Sequence, residues 1–404
     1  SAAYHLRRFG HEVTIFDANP QAGGMLRYGI PKYRMPREKL RAEVARIEAM
    51  GVTIELNTRI DDVLASKREN HFDAAFLCLG AQAPRHLEIA SDGEVPILDA
   101  MAVLRDSELD NPSQLKGHVV VYGGGNTAID VARTAVRMGA IMTTVIVFEA
   151  REHMPAHSFE VEEALEEGVE LNCLRAIKQV DGRSVTLEKM RANDQRWPEP
   201  SGEFESIEAD VIVQAVGQDL DPGLLQNLPG LEIKEGIAQI DGDMLTGAEE
   251  IFAGGDMVPS IRTVTTAIGH GKKAARNIDA YLRGEEYTPS EKHEVVTFDM
   301  LNAWYYTDAP RTVRPMLDVV RRKTGFAEVV GDLDDQNAAF EARRCMSCGN
   351  CFECDNCYGV CPDNAVTKLG PGKRFEFKYD YCKGCSICAT ECPCGAIKMV
   401  SESI

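Results

Sequence analysis

The sequence predicts an α/β fold: two doubly wound units with a small α+β module behind them. Three observations predict it. Short apolar runs ending in glycine or an acid recur over the first two thirds of the chain, alternating with segments of helical period. That is the pattern of parallel strands joined by crossover helices. One such run, His118–Tyr122, passes straight into Gly123-Gly124-Gly125-Asn126-Thr127-Ala128 and then a helix. Finally, eleven of the 13 cysteines lie between Cys345 and Cys394, where C-x2-C-x2-C-x3-C-P occurs twice with each cysteine 31 residues from its counterpart.

At 404 residues with 44% apolar content, the chain has room for two or three domains with buried cores. No apolar run approaches the roughly 20 residues of a spanning helix, and no signal peptide is visible, so a cytoplasmic chain without membrane insertion is expected. A net charge of −19 disfavours nucleic acid as a partner. Only Cys78 and Cys173 lie outside the tail, which argues for clustered metal ligands and against a secreted disulfide framework.

In order along the chain, Ser1–Phe9 reads as the latter part of a helix and Val13–Asp17 as a strand ending in an acid. A strand and a glycine-rich turn ordinarily precede such a helix, so the numbering is expected to begin inside a longer polypeptide, just after that turn. Gln21–Pro36 is a Gly/Pro-rich loop, Arg37–Met50 an amphipathic helix and Val52–Leu56 a strand. Phe72–Leu79 is an apolar strand running into Gly80, and Pro84–Asp110 is connecting structure. After the central turn come the helix Ile129–Met138, the strand Thr144–Phe148 and the helix Phe159–Glu167. Leu171–Ala209 reads as a β-meander, and Asp210–Val216 and Ile251–Asp256 as apolar strands. The helix Val264–Leu282 leads into a stretch of mixed helix and loop before the cysteine-rich tail.

The central turn has the form G-x-G-x-x-A, with Gly123, Gly125 and Ala128. The first glycine permits the tight turn, the second lets the backbone approach a pyrophosphate, and the small third residue lets helix and strand pack closely. Asn126 and Thr127 sit at the helix N-terminus, which favours the anion. Glu149, 24 residues past Gly125, ends the next strand. A carboxylate there accepts hydrogen bonds from ribose hydroxyls and repels a 2′-phosphate, which favours NAD(H) over NADP. Arg151, two residues on, is the counter-argument. Asp17 carries the same logic for the ribose of FAD. Gly23 and Gly24 allow backbone to approach a flavin without side-chain clash, and Asp256 is placed for a ribityl hydroxyl. Met25, Gly80 and Gly255, in the same loop and at the same strand ends, join the candidate FAD contacts.

The stretches AGGMLRYGIPKYRMP, VVVYGGGNTAIDVAR and IFAGGD, in this order, resemble the glutamate synthase small-subunit family of FAD- and NAD(P)-dependent oxidoreductases. The resemblance covers roughly residues 1–285. It implies a thioredoxin-reductase-like body, with an NAD domain (116–243) inserted into a discontinuous FAD domain (1–115 and 244–284). It also implies that Arg34 lies near flavin N5, that Thr265 and Thr266 offer backbone contacts to FAD, and that Ala215 and Gly217 lie beside the nicotinamide nucleotide. NADP-dependent members carry paired arginines where this chain has Phe148-Glu149-Ala150-Arg151. Residues 285–344 are expected to link this body to a module at 345–404.

The tail has the spacing of a bacterial two-cluster ferredoxin, in which three cysteines of a run hold one [4Fe–4S] cluster and the fourth crosses to the other. The C-x3-C-P endings set the register. Cluster one then takes Cys351, Cys354, Cys357 and Cys392; cluster two takes Cys382, Cys385, Cys388 and Cys361. A zinc ribbon would need only isolated C-x2-C pairs. Cys394 has Asp363 as its repeat mate and is not expected to be a ligand. Cys345 and Cys348 are either spare thiols or part of a site completed elsewhere. His270 and Lys272 read as supporting or surface residues.

The expectation is an electron-transfer subunit. Hydride passes between NAD(H) and FAD, with Arg34 tuning the flavin, and single electrons pass through two [4Fe–4S] clusters. The resemblance implies a catalytic redox subunit of 2-oxoacid, aldehyde or aromatic-compound oxidoreductase type as partner, expected to dock near the ferredoxin-like module. The alternatives are a glutamate synthase small subunit, a flavin-bifurcating transhydrogenase subunit, and a scaffold protein with a vestigial nucleotide fold.

Overall fold

The strand His118–Tyr122 is apolar along nearly its whole length because it lies in the middle of a sheet covered on both faces. In the computed structural model, which describes residues 1–109, 115–193, 197–225, 228–289 and 295–401, it is the centre of a five-stranded parallel sheet. The order is Ile97–Asp99, Val211–Gln214, His118–Tyr122, Met142–Val147, Glu170–Cys173. Side chains alternate between faces, and the two faces meet different layers. Val119, Val121, Val145, Val147, Val211 and Val213 pack against the helices Ala100–Glu108, Asn126–Arg137 and Ser158–Glu166. Val120, Tyr122, Ile146 and Ile212 face Ile177, Val180, Val185 and Leu187. These last belong to an antiparallel meander, Arg175–Asp181, Ser184–Ala192 and Pro198–Glu208, with Ala90–Ser91 at its edge.

The stretch expected as connecting structure after Pro84 holds both the edge strand and the helix Ala100–Glu108. Asp99 caps that helix, its carboxylate accepting from the Ala102 amide at 2.8 Å. The cap satisfies one of the amides left open at a helix start. The Leu171–Ala209 meander is likewise only partly one: its first strand joins the parallel sheet.

In the other half of the body, Thr14–Phe16 pairs in parallel with Thr53–Glu55, and Ala75–Leu77 with Ile251–Ala253. The chain thus returns here after building the five-stranded sheet. The helix Val264–Arg283 packs on Ala2–Phe9 through Leu6, Ala274, Ala275 and Ile278. It starts on Thr263, whose hydroxyl accepts from the Thr266 amide at 3.2 Å, and stops at Gly284 in the left-handed conformation.

The loop 31–36 ties the two halves together. Tyr33 is fully buried, with its ring against the Arg137 guanidinium (3.8 Å to the centroid) and near Arg133 (4.9 Å). Both arginines pair with the buried Glu167. The described structure divides into two compact units, 1–287 with 316–330, and 288–315 with 331–404. Within the first, residues 316–330 cover the Tyr33 loop: the Val329 amide donates to the Tyr33 carbonyl at 3.0 Å and Arg322 pairs with Glu166 at 2.8 Å.

The second unit is built on the 31-residue repeat. Helices Asn356–Val360 and Ile387–Thr390 correspond, and a hairpin of Val366–Lys368 and Phe375–Phe377 lies between them. Residues one repeat apart share left-handed backbone: Glu353 and Gly384, Asp355 and Ser386, Asn364 and Gly395. Among the described residues no helix is long and apolar enough to cross a membrane.

Candidate cofactor sites

Gly123 has φ +148°, and a Cβ there would sit 2.3 Å from the Ala215 carbonyl oxygen. Only glycine fits, because the turn crosses directly over the end of the neighbouring strand. This contact brings Gly123 and Ala215 together, with Gly217 two residues on at φ +115°. A Cβ on Gly125 would enter open space. Gly125 is the N-cap of the helix Asn126–Arg137, so the room beside it adjoins the helix's unpaired amides, which suits a pyrophosphate. The middle glycine, given no role from sequence, proves the more informative: a Cβ on Gly124 would lie 2.9 Å from Glu149 Oε2. Glu149 is thereby placed beside the turn, and among the described residues no donor reaches its carboxylate. Arg151 is exposed on the next turn. Asn126 faces the loop that follows, its Oδ1 accepting from the His157 amide at 2.9 Å. Thr127 occupies the first turn of the same helix.

At the other half, Gly23 (φ +134°) and Gly24 (φ +49°) both need left-handed backbone, and a Cβ on Gly24 would meet nothing within 4 Å. Met25 opens the short helix Met25–Tyr28. Asp17 ends its strand as expected, but its Oδ1 is taken by the amide (2.9 Å) and side chain (2.8 Å) of Asn19. Asp256 differs: among the described residues nothing donates to it. Burial pushes its carboxyl above the ordinary carboxylate range, opposed by the charge of Arg262. Gly80 and Gly255 both have positive φ at strand ends. Thr265 and Thr266 lie in the first turn of the helix Val264–Arg283. His270, read from sequence as a supporting residue, accepts from the Gly255 amide through Nδ1 at 3.2 Å. That bond places the ring proton on Nε2 and fixes the turn that carries Asp256. No local sequence signal marks it, because its partner lies one helix away.

Arg34 reaches across to the other half. Its guanidinium is bound by Asp130 (2.6 Å) and by Glu160, from two helices of the five-stranded domain. Burial pushes the Asp130 carboxyl up to about 6 despite Arg34 beside it. Arg34 is therefore a clamp between the halves, and its guanidinium is committed to carboxylates.

The eight cysteines of the repeat surround two cavities in the second unit. One, of about 150 Å³, is lined by Cys351, Cys354, Cys357 and Cys392. The other, of about 300 Å³, is lined by Cys361, Cys382, Cys385 and Cys388. In each, the cysteine closing one run joins three from the other. Among the described residues no group of three or more His, Cys, Asp or Glu side chains is placed to hold a metal ion; the thiols line the walls of the two cavities. The closing cysteines are equivalent in detail: the Ala365 amide donates to Cys361 Sγ at 3.2 Å and the Ala396 amide to Cys392 Sγ at 3.3 Å. Cys394, set aside from sequence, also lines the smaller cavity. Cys345 and Cys348 are exposed and line neither.

Residues 1–271 match the family model described as pyridine nucleotide-disulphide oxidoreductase. The chain is 37% identical over 380 residues to the NADP(+)-dependent formate dehydrogenase subunit beta of Moorella thermoacetica, covering 86% of this chain and 52% of that one. It is 32% identical over 308 residues to a putative glutamate synthase [NADPH] small chain of Cereibacter sphaeroides, covering 70% and 74%. The chain thus spans about half the length of the first of these relatives. The solved structure of T. acidophilum thioredoxin reductase superposes with a TM-score of 0.54 at 17% identity, over 70% of this chain and 94% of that one, which shows the two-domain fold. A turn only glycine can make against Ala215, a second left-handed glycine loop, and a family match across two thirds of the sequence lead to one conclusion: the chain belongs to the pyridine nucleotide-disulphide oxidoreductase family, among the FAD- and NAD(P)-dependent oxidoreductases.

Proposed function

We propose that the chain is the electron-transfer subunit of a larger redox complex, exchanging hydride with NADH and passing electrons one at a time to a catalytic partner subunit. The observation that carries this reading is where the thiols are. The matched region holds only Cys78 and Cys173, so it has no adjacent thiol pair to serve as acceptor. The second unit holds nine cysteines around two cavities, eight of them from the repeat. FAD would take the hydride as a pair and two [4Fe–4S] clusters would carry the electrons singly. Asp256, which accepts no hydrogen bond among the described residues, and the Gly23-Gly24 loop would hold FAD. The Gly123–Gly125 turn would hold the dinucleotide pyrophosphate, and Glu149 its adenosine ribose. The two cysteine sets would hold the clusters. The Moorella relative is named as a subunit of a formate dehydrogenase, which adds formate to the 2-oxoacids, aldehydes and aromatic compounds as substrate classes for a partner.

The test is direct. The protein, purified anaerobically, is mixed with NADH and separately with NADPH while flavin and iron–sulfur absorbance are followed. Bleaching of both chromophores by NADH is expected; no bleaching by either nucleotide, with FAD bound, would sink the proposal.

Glu149 also sets a preference. With Glu149→Gln, discrimination for NADH over NADPH in kcat/KM is expected to fall by about tenfold, the equivalent of ~1.4 kcal/mol, because the charge that repels a 2′-phosphate is gone. Wild-type protein that prefers NADPH would show instead that Arg151 dominates.

A further inference from the structure

The two halves of the cysteine repeat are alike in backbone and in the amide-to-sulfur bonds of the closing cysteines, but they differ in the residue that follows the Cys-Pro pair. After Cys361 and Pro362 comes Asp363, half-buried and paired with Lys383 at 3.2 Å. After Cys392 and Pro393 comes Cys394, only 2% exposed. Its Sγ lies 3.8 Å from Cys392 Sγ, inside hydrogen-bond range for sulfur. It lines the same cavity as Cys351, Cys354, Cys357 and Cys392, so five thiols face one space and four face the other. The fifth is held in place by its backbone, where the Gly349 amide donates to the Cys394 carbonyl at 2.6 Å.

We propose that Cys394 is not a ligand but a hydrogen-bond donor to the ligand Cys392, and that it holds the potential of cluster one above that of cluster two. The inference rests on the cluster reading given above. A cysteine bound to iron is a thiolate and only accepts; the neighbouring thiol must then be the donor. Hydrogen bonds to cluster sulfurs stabilise the more negative, reduced state and raise the potential. Cys392 receives two such bonds, from the Ala396 amide and from Cys394, whereas Cys361 receives one, from the Ala365 amide. The repeat supplies two similar cluster sites, and this extra donor gives electrons a downhill direction between them.

The experiment is an EPR-monitored redox titration of the full chain with its clusters reconstituted, alongside iron analysis. Wild-type protein is expected to show two clusters with separate midpoints. Cys394→Ala is expected to keep all the iron and shift only the higher midpoint downward. Cys394→Ser, which keeps a donor, restores part of the shift. Asp363→Cys, which places a thiol at the equivalent position, is expected to shift the lower midpoint upward. Loss of half the iron in Cys394→Ala would make Cys394 a ligand and overturn the proposal, as would full iron with both midpoints unmoved. Wild-type protein that binds iron for fewer than two clusters would instead overturn the cluster reading itself.

Discussion

Replacing Cys392 by alanine is expected to remove half of the protein's iron, and the cluster lost is the one belonging to the other cysteine run. Cys392 closes the second C-x2-C-x2-C-x3-C-P run, yet it lines the cavity of Cys351, Cys354 and Cys357. Cys361 closes the first run and lines the cavity of Cys382, Cys385 and Cys388. A cluster with three thiolates has lost one of its protein bonds; Cys394, argued above to be a donor and not a ligand, is not expected to replace it, so the cluster is expected to be shed or degraded during purification. Cys392→Ala and Cys382→Ala should therefore remove different clusters although both residues lie in the same run, and Cys392→Ala and Cys357→Ala should remove the same one. Iron and sulfide analysis with EPR of each reduced variant decides this. Flavin bleaching by NADH should survive in all three, because the nucleotide sites lie in the other compact unit. Identical spectra for Cys392→Ala and Cys382→Ala would rule out the crossed pairing.

The grouping of the eight cysteines around two cavities was legible in the sequence because those cysteines are tied to a repeat. A fixed spacing and a C-x3-C-P ending define register without reference to anything distant. The Gly123–Ala128 turn was legible for a similar reason: its residues act within one strand, turn and helix. The site features that escaped are contacts between elements. His270 lies a helix away from the Gly255 amide it accepts from. Asp130 and Glu160, which bind Arg34, are 96 and 126 residues from it. Gly124 is a variable position of the motif, and its role comes from the distant Glu149 side chain beside it. Cys394 was dismissed by repeat symmetry, since symmetry reports what the halves share and is silent on a residue present in only one. In the fold, the helix Ala100–Glu108 was hidden in connecting structure because it is short and its buried face, Ala100, Val103 and Leu104, is brief. The meander over one sheet face could be read as strands, but not as the layer that replaces helices there.

The largest effect on stability is expected at Glu167. Its side chain is fully buried and bound by two arginines, Arg133 at 2.7 and 3.0 Å and Arg137 at 2.6 and 2.8 Å. Both arginines are themselves buried, and Tyr33 lies against them. Glu167→Ala leaves Arg137 without a carboxylate partner and Arg133 with only Glu163, at a cost of about 3–5 kcal/mol. Chemical denaturation followed by circular dichroism measures it. Because Tyr33 belongs to the loop that also carries Arg34, bound FAD should be released at lower denaturant than in the wild type. Burial would raise the Glu167 carboxyl, but hydrogen bonds from Arg137 and Arg133 outweigh it and hold the group below its ordinary value of 4.5. A depressed acid contributes stability that is present above its unfolded value and lost as pH falls through its folded one. The gap between wild type and Glu167→Ala is therefore expected to be full at neutral pH and to narrow below about 4.5. A gap that stays constant across that range would mean the loss came from the cavity and not from the charge. Replacing Arg133, Arg137 and Glu167 together by apolar residues of similar volume should cost far less than Glu167→Ala alone, because no charge is then left buried without a partner. The network's contribution would then lie chiefly in specifying how the Tyr33 loop docks on the five-stranded domain. Loss of FAD retention in that triple variant, with the denaturation midpoint preserved, is the result expected of such a role.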